Sequence, residues 1–387
     1  MQLIIKLTTA CNMNCCYCSE GDQSPEQIDK SLLYKIIDDL PELLEAEGEK
    51  KIDLLWHGGE PFLAGADFMH DVMNYAEEKL AAYELAFMMQ SNGTLLDDKW
   101  INILKEHHVK VGISLDGYEE LHDANRKTKQ GAPTFNLIMD NINKLQENNI
   151  FGGCLMVLNT AEQIDVDRLF DFIQSSEFHL KIHSVVPCGR AKNEAMVDEI
   201  SDNYVELLKN LYRKSMQFES TKDIYPLSDY LNAMINGTKM SECSHNGSCG
   251  KRFLCIFSNG DAGFCGRARS ENEILGFGNI RNQSLKEIYY SANAEKIRAR
   301  VDYLKEHDCK NCEVWEYCMG GCSFEAVNQF GCLYQKSPFC KQTKDIMHFL
   351  QTEGLDLMKK RLAGEKKKYR EQIKIKRKLL EDLKHAR

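Results

Sequence analysis

The sequence predicts an α/β fold with parallel strands, followed by a cysteine-rich domain and a basic C-terminal helix. Three observations predict this organisation. Strand-like and helix-like segments alternate six times between residue 2 and about residue 187. Ten of the sixteen cysteines fall within residues 241–340. Residues 351–387 carry 13 Lys and Arg against 6 Asp and Glu, although the whole chain has a net charge of −9.

Each of the six repeats begins with a short apolar strand. The predicted strands are QLIIKLT, IDLLW, ELAFMMQ, VKVGISL, GCLMVLN and HLKIHSVV. Helical spacing of apolar residues predicts helices at SLLYKIIDDLPELL and at residues 67–82, 97–107, 135–149 and 163–175. This alternation implies parallel strands with right-handed crossovers, arranged as a doubly wound open sheet or a barrel-like curl.

Polar and cysteine-containing loops follow the ends of these strands. A cysteine loop follows the first strand, and HGGEP, SNGT and DGYEELHDANR follow the next three. Asn159 ends the fifth strand, and PCGRA follows the sixth. Because the C-terminal ends of parallel strands share one face, these loops are expected to converge on an active site.

Composition narrows the class of protein. The content of 43% apolar and 28% charged residues is typical of a soluble chain. No signal-peptide h-region and no apolar run of about 18 residues is seen, so we expect a cytoplasmic protein without membrane contact. Sixteen cysteines in a reducing compartment favour metal or redox chemistry over disulfides. The acidic balance gives no reason to expect nucleic acid as a partner.

Changes in composition suggest four segments. Residues 1–187 contain the strand–helix repeats, and residues 188–240 are predicted to be a helical connector. Residues 241–350 form the cysteine-rich domain. Residues 351–387 have apolar positions spaced by threes, fours and sevens, which predicts a basic amphipathic helix.

The loop TTACNMNCCYCSEGD admits a disulfide, a zinc site or an iron–sulfur cluster. Cys11, Cys15 and Cys18 are spaced CxxxCxxC, Cys16 is an extra thiol, and the aromatic Tyr17 precedes the last cysteine. Structural zinc usually takes four ligands, often from paired CxxC units. Three thiolates instead suit a [4Fe–4S] cluster with one iron open to a further ligand.

This CxxxCx(aromatic)C motif after a first strand, together with GGEP, resembles the radical S-adenosylmethionine (SAM) enzymes. The resemblance implies a partial (β/α)6, TIM-like barrel. It also implies that the open iron binds SAM, and that one electron cleaves SAM to methionine and a 5′-deoxyadenosyl radical. That radical takes a hydrogen atom from the substrate. An electron donor such as flavodoxin or ferredoxin is then expected as a partner.

The resemblance also implies which loops hold SAM. Gly58 and Gly59 lack Cβ, so their backbone can approach a ligand, and Glu60 would meet the SAM amino group. A guanidinium fork suits a carboxylate, so the resemblance places Arg126 at the SAM carboxylate. The remaining predicted SAM residues are Ser114, also at the carboxylate, Asp116 beside Ser114 and Arg126, Asn92 and Asn159 at the ribose or adenine, and Tyr17 at the adenine.

The late cysteines read CxxCxxxxxCxxxC, and this array resembles the SPASM extension of peptide-modifying radical SAM enzymes. That extension holds two more [4Fe–4S] clusters, for a total of three. The resemblance assigns auxiliary cluster I to Cys249, Cys255, Cys265 and Cys322, and auxiliary cluster II to Cys309, Cys312, Cys318 and Cys340. Cys243 competes with Cys249 and Cys332 with Cys340, and a zinc ribbon is the alternative to clusters.

The resemblance implies a precursor peptide or a protein as substrate. Sulfatase maturases of this family usually have an Asp directly after the third cysteine of the first auxiliary cluster, where this chain has Gly266. We therefore expect a carbon–sulfur or carbon–carbon crosslink. The alternative is oxidation of Cys or Ser to formylglycine, or another peptide oxidation, and a third hypothesis is a non-catalytic binding protein. Cys188 at the sixth strand end is a candidate catalytic residue or a packing thiol. With Cys11 so early, no leader-binding domain is expected before the barrel, and the basic tail is a candidate for that task.

Overall fold

The computed structural model describes residues 1–22, 24–159, 164–192, 197–218, 221–268 and 273–385. Residue 163 of the predicted helix 163–175, and the last two residues of the predicted tail helix, lie outside this part. Among the described residues the strands are β1 Gln2–Lys6, β2 Lys51–His57, β3 Glu84–Ser91, β4 Lys110–Ser114, β5 Phe151–Leu158, β6 Leu180–Ser184, β7 Phe253–Ile256, β8 Asp261–Gly263 and β9 Gly276–Asn279.

The strands form one sheet in the order β6-β5-β4-β3-β2-β1-β7-β8-β9, in which β1 to β6 are parallel neighbours. A doubly wound sheet would reverse its strand order at a switch point. Here every crossover steps in the same direction, which is the barrel arrangement. β6 stands at a sheet edge and β1 pairs with β7, so the barrel is partial. The predicted α/β class with a partial (β/α)6 barrel is confirmed.

Helices alternate with the first six strands. They are α1 Lys30–Glu47, α2 Ala66–Lys79, α3 Asp98–Glu106, α4 Glu119–Asn125, α5 Phe135–Glu147 and α6 Val166–Ser175. In α1, Leu33, Ile36, Ile37 and Leu40 are fully buried, because a spacing of three or four places them on one face. In β1, Leu3 and Ile5 are fully buried in the same hydrophobic cluster. Alternation along the strand turns Lys6 to the opposite face, toward the barrel interior.

The later part of the chain is mainly helical around a small strand extension. Its helices are α7 Val197–Ser215, α8 Leu227–Asn236, α9 Leu285–Tyr289, α10 Ala292–Glu306, α11 Trp315–Cys318, α12 Ser323–Phe330, α13 Cys340–Phe349 and α14 Leu355–His385. β7 adds to β1 in parallel, and β8 and β9 continue antiparallel. The sheet therefore runs from the barrel into the cysteine-rich region, which the sequence did not predict.

The basic tail is the long helix α14. Its start is anchored to α7, because the Tyr212 hydroxyl donates to the Gly354 carbonyl at 3.0 Å and Arg213 pairs with Glu353 at 2.7 Å. Among the described helices, none combines the length and the apolar character that crossing a bilayer requires.

Candidate iron–sulfur and SAM site

The first cysteine loop follows β1 and is held by loops from other strands. The Cys16 N–H donates to the carbonyl of Asn125, in the region after β4, at 3.1 Å. Arg190, in the loop after β6, donates from its guanidinium to the Cys15 carbonyl at 3.0 Å and from its backbone to the Cys18 carbonyl at 3.0 Å. The expected convergence of strand-end loops is therefore present at this cysteine loop.

Cys11, Cys15 and Cys18 are free thiols that lie close enough for their charges to interact. Burial raises the pKa of Cys11, and it raises the pKa of Cys15 to about 11 although nearby Arg126 opposes the shift. Thiols in such surroundings ionise readily only when a cation compensates their charge, and ligated iron does so. These three thiols fit the ligand set of an iron–sulfur cluster.

Gly58 and Gly59 bring the loop after β2 against the cysteine loop. The Gly59 N–H donates to the Thr8 carbonyl at 2.7 Å. A Cβ on Gly58 would lie 2.5 Å from the Thr8 oxygen, and one on Gly59 would lie 2.2 Å from the Ala10 oxygen. The sequence suggested that these glycines admit a ligand. In the structure the close approach is to the cysteine loop, because the two backbones are in direct contact.

Glu60 is held inside the fold by three hydrogen bonds. Its side chain is fully buried, and its carboxylate accepts hydrogen bonds from the Ser91 hydroxyl at 2.8 Å, the Asn92 N–H at 2.8 Å and the Phe62 N–H at 3.1 Å. Burial raises the pKa of Glu60 to about 7, although these donors oppose the shift. Glu60 thereby ties the loop after β2 to the end of β3. Its contact with the SAM amino group stays a prediction.

Asp116, Arg126 and Tyr17 form one buried group beside the cysteine loop. The Arg126 Nε lies 3.0 Å from Asp116 Oδ2, the oxygen that also accepts from the Tyr17 hydroxyl. The Arg126 guanidinium carbon lies 5.2 Å from the Tyr17 ring centroid. The second Asp116 oxygen accepts from the Val157 N–H at 3.1 Å, which links β4 to β5. The structure thus brings three predicted SAM residues together and gives the arginine a fixed orientation.

The other predicted SAM residues are divided between the cysteine loop and the sheet. The Asn92 side-chain amide lies 3.8 Å from the Cys11 sulfur. The Asn159 amide lies 3.2 Å from the sulfur of Cys16, which is exposed. The Ser114 hydroxyl accepts from a glutamine of β3 at 3.1 Å. Asn92 and Asn159 therefore border the cysteine loop, whereas Ser114 is bonded along the strands.

His122 supports the arginine through a chain of hydrogen bonds. Its Nδ1 accepts from the Asp116 N–H at 3.1 Å, so the neutral ring carries its proton on Nε2, which lies 3.1 Å from the Thr134 hydroxyl oxygen. The Thr134 hydroxyl in turn donates to the Arg126 carbonyl at 2.9 Å. The chain holds the end of α4, where Arg126 stands. Protonating Nδ1 would break its first bond.

This histidine predicts an acid-sensitive stability. Burial lowers the pKa of His122 to about 4 from its ordinary 6.5. As the pH falls, the unfolded chain takes up this proton first, so stability that is complete above about pH 6.5 is lost toward pH 4. Between pH 7.5 and 5 the wild type should lose about 2 kcal/mol more unfolding free energy than His122→Gln. Anaerobic urea titrations at both pH values measure the difference, and parallel losses in the two proteins would contradict this assignment.

The cysteines assigned to auxiliary cluster I form a connected group. Cys249 and Cys265 lie close enough for their charges to interact, Cys322 interacts with both, and Cys255 with Cys265. Burial raises the pKa of Cys265 to about 11 and holds that of Cys322 well above its ordinary value. Cys243 also lies near Cys249 and Cys265, so the competition between Cys243 and Cys249 stays open.

The cysteines assigned to auxiliary cluster II surround a small cavity. The described residues lining it are Cys309, Cys312, Cys318 and Cys340 with Val314, Trp315, Gly320 and Lys336. Burial raises the pKa of Cys318 to about 12, and nearby Cys340 adds to the shift. Cys332, the alternative to Cys340, is not among these lining residues. An apolar cavity ringed by four thiols has the chemistry that a cluster or a zinc ion requires.

Lys6 and His57 occupy the inner face of the barrel and were missed by the sequence analysis. They are partners in the β1–β2 register, and Lys6 Nζ lies 3.4 Å from His57 Nδ1 and pairs with Glu20. The Gly58 N–H donates to the same His57 nitrogen at 2.7 Å, and burial lowers the pKa of His57 to about 3. The ring is therefore neutral. The sequence feature that could have indicated this pair is Lys6 itself, a charged residue within the apolar run of the first strand.

Cys188 lies in the loop after β6 and is 7% exposed. Its neighbour Gly189 has a φ of 58°, and a Cβ there would lie 2.2 Å from the Cys18 oxygen, so this loop packs on the first cysteine loop. Both Cys188 and Cys265 act to raise the pKa of Arg267. Cys188 thus lies in a loop that packs on the first cysteine loop, and it shares Arg267 as an electrostatic neighbour with Cys265.

Comparisons with known proteins agree with this organisation. Residues 5–173 match the radical SAM superfamily, and residues 243–313 match the SPASM iron–sulfur cluster-binding domain. A cysteine-type anaerobic sulfatase-maturating enzyme of Clostridium novyi is 25% identical over 355 residues, covering 88% of this chain and 92% of the relative. A serine-type enzyme of Bacteroides thetaiotaomicron is 26% identical, covering 81% and 80%.

Solved structures share the fold. The structure of anSMEcpe with AdoMet and the Cp18Cys peptide has a TM-score of 0.78 at 21% identity, covering 94% of this chain and 99% of that one. Streptococcus suis SuiB bound to S-adenosylmethionine has a TM-score of 0.59 at 16% identity, covering 88% and 77%. The two matched domains, the thiol groups and the shared fold identify the chain as a radical SAM enzyme with a C-terminal SPASM domain, which binds [4Fe–4S] clusters and SAM.

Proposed function

We propose that this enzyme matures a ribosomally made precursor peptide by forming a carbon–sulfur or carbon–carbon crosslink between side chains. Solved proteins of the same fold hold peptides, namely anSMEcpe with Cp18Cys and SuiB with its precursor peptide SuiA. That likeness supports a peptide substrate. The preference for a crosslink rests on the residue that follows Cys265, a proposed ligand of auxiliary cluster I.

The proposed reaction removes two hydrogens from the peptide. When bound, SAM and its cluster would supply a 5′-deoxyadenosyl radical for one hydrogen atom of the peptide. The auxiliary clusters would supply an acceptor for the electron released as the crosslink closes, and the second hydrogen would leave as a proton. The chain's own residues hold the reactants. Asp116 fixes Arg126 for the SAM carboxylate.

The residue after Cys265 carries the choice of reaction. By resemblance, sulfatase maturases usually have an Asp there that acts as a base, whereas this chain has Gly266. A Cβ on Gly266 would lie 3.1 Å from Lys6 Cε and 3.5 Å from Lys6 Nζ. A lysine ammonium therefore stands where the family's carboxylate base would be, and a cation cannot accept the proton that formylglycine formation releases. This observation favours a crosslink between groups acidic enough to lose their own proton.

Formylglycine formation remains the second candidate because the curated relatives that cover most of the chain are sulfatase-maturating enzymes. The two candidates are separated by anaerobic incubation with SAM, dithionite and either a sulfatase-type Cys peptide or peptides encoded beside this gene. We expect 5′-deoxyadenosine to form with either kind of peptide. The sulfatase-type peptide should gain no aldehyde, and a peptide encoded beside the gene should lose the mass of two hydrogens. Aldehyde formation on the sulfatase peptide would overturn the proposal.

We propose the following ligand sets for the three clusters. Cys11, Cys15 and Cys18 hold the SAM cluster. Each auxiliary cluster takes four thiolates, which leaves no iron open and suits electron relay. Auxiliary cluster I takes Cys249, Cys255, Cys265 and Cys322, and auxiliary cluster II takes Cys309, Cys312, Cys318 and Cys340. Cys188 is proposed as a residue facing substrate. Flavodoxin or ferredoxin supplies electrons in the cytoplasm, without a nucleic-acid or membrane partner.

The basic helix α14 is proposed to bind an acidic segment of the precursor. Deleting residues 366–387 keeps the contacts of Tyr212 and Arg213 at its start, so cluster content should not change. The affinity for an acidic precursor should fall about tenfold at low salt and little at high salt, since surface charges act over a short screened range. Fluorescence anisotropy with the labelled precursor measures this, and equal affinity at low salt would refute the role.

A further inference from the structure

A second cluster of metal-ligating groups lies on the outer helices, apart from the thiols. His70 stands on α2, Glu106 ends α3, and His107 follows directly. One ligand atom from each lies within 4.8 Å of the others. His70 Nε2 is 3.2 Å from the Glu106 carboxylate, and the two histidine ring centroids are 5.3 Å apart. None of these residues belongs to the cluster or SAM sites described above.

His107 carries the strongest sign of a missing partner. Its side chain is 1% exposed, and its Nδ1 lies 2.9 Å from the Glu77 carboxylate. Its Nε2 is buried without a hydrogen-bond partner among the described residues. Moving the ring proton does not help, because Nε2 has no acceptor when it carries the proton and no donor when it does not. This nitrogen is therefore placed to bind one further atom, from a metal or a water.

The contact with Glu77 resembles the second shell of metal-bound histidines. A histidine ligand usually donates its other ring N–H to a carboxylate, which fixes the tautomer and leaves a lone pair on the metal-binding nitrogen. Here Glu77 would fix the proton on Nδ1 and leave Nε2 as the free donor atom. His70 and Glu106 are partly exposed, with side-chain exposures of 34% and 58%, so both can adjust to a metal.

We propose that His70, Glu106 and His107 bind one divalent transition metal of the zinc type, with water as the fourth ligand. Two imidazoles and one carboxylate are a donor set that zinc accepts in tetrahedral geometry with an open position for water. The metal would join the end of α3 to α2 and complete the hydrogen-bonding capacity of His107.

The test uses the full chain with its clusters already reconstituted, so that thiols do not compete for zinc. Protein is dialysed anaerobically against buffered low-micromolar zinc, and bound zinc and iron are measured by mass spectrometry. The wild type should retain one zinc per chain, which His70→Ala should lose at unchanged iron content. Glu77→Gln should weaken zinc binding about 10- to 100-fold, as expected for a carboxylate that orients a ligand.

His108→Asn is the matched control. His108 is the exposed neighbour of His107 and has a φ of 52°, a conformation that asparagine also accepts. This variant should bind zinc like the wild type. Equal zinc in wild type and His70→Ala would place the metal elsewhere and overturn the proposal, as would a wild type that binds none. A loss in His108→Asn equal to that in His70→Ala would overturn it too.

Discussion

Replacing Arg300 by methionine should remove both auxiliary clusters. Arg300 lies on α10 and is 1% exposed. Its guanidinium donates to four main-chain carbonyls, those of Leu333 at 2.8 Å, Gly321 at 2.8 Å, Gly320 at 3.0 Å and Gln335 at 2.7 Å. Two of these carbonyls lie between Cys318 and Cys322, and the other two lie in the segment that leads to Cys340. One side chain therefore fixes the loops that carry thiols of both proposed auxiliary clusters.

Methionine fills similar space but donates nothing. Four carbonyls would lose the guanidinium as donor, and among the described residues only that of Gly320 keeps another, the Ser337 N–H, so the free energy of unfolding should fall by about 3–5 kcal/mol. Iron should fall from about 12 to about 4 per chain, because only the barrel cluster would keep its ligand geometry. Lys296→Met on the exposed side of α10 is the matched control and should keep full iron. Full iron in Arg300→Met would show that the loops hold their shape without this side chain.

The second large effect is expected from Asp116→Asn. This change keeps the shape of the side chain but removes the counter-charge of Arg126, which is 7% exposed. A buried arginine left without its partner should cost about 3 kcal/mol of unfolding free energy. The arginine would also lose the orientation given by the 3.0 Å contact, so SAM affinity should fall about tenfold or more. Urea titration and equilibrium dialysis with labelled SAM measure the two losses.

Glu120→Gln is the matched control for Asp116→Asn. Like Asp116→Asn, it removes the carboxylate of an ion pair with an arginine. The partner here is Arg168, and both side chains of this pair are exposed. Solvent screens such a pair, so stability and SAM affinity should change little. If the two variants behave alike, the buried group formed by Asp116, Arg126 and Tyr17 has no special part in SAM binding.

Much of the fold could be predicted because its signals are local. Strand runs, helical spacing and turn residues each lie within one segment, and the six parallel strands appear where these patterns indicate them. The cysteine spacings are also local, and they pointed correctly to the radical SAM and SPASM domains. The alternative of a doubly wound sheet was excluded only by the strand order, which depends on how the segments assemble.

What could not be predicted depends on contacts between distant segments. The pairing of β7 with β1 joins residues about 250 positions apart, and neither strand's pattern encodes its partner. The hydrogen bonds that hold Glu60 could not be predicted either, because the Ser91 hydroxyl and the Asn92 N–H lie at the end of β3, far from Glu60 along the chain. Lys6 facing Gly266 belongs to the same class of contact.

The most direct test of the central claim measures iron and acid-labile sulfide per chain after anaerobic reconstitution. The proteins compared are the wild type, Cys340→Ala and Cys332→Ala. Three [4Fe–4S] clusters predict about 12 iron and 12 sulfide in the wild type, about 8 of each in Cys340→Ala, and no loss in Cys332→Ala. A wild type with about 4 iron and zinc in the SPASM region would contradict the three-cluster account and the electron relay with it.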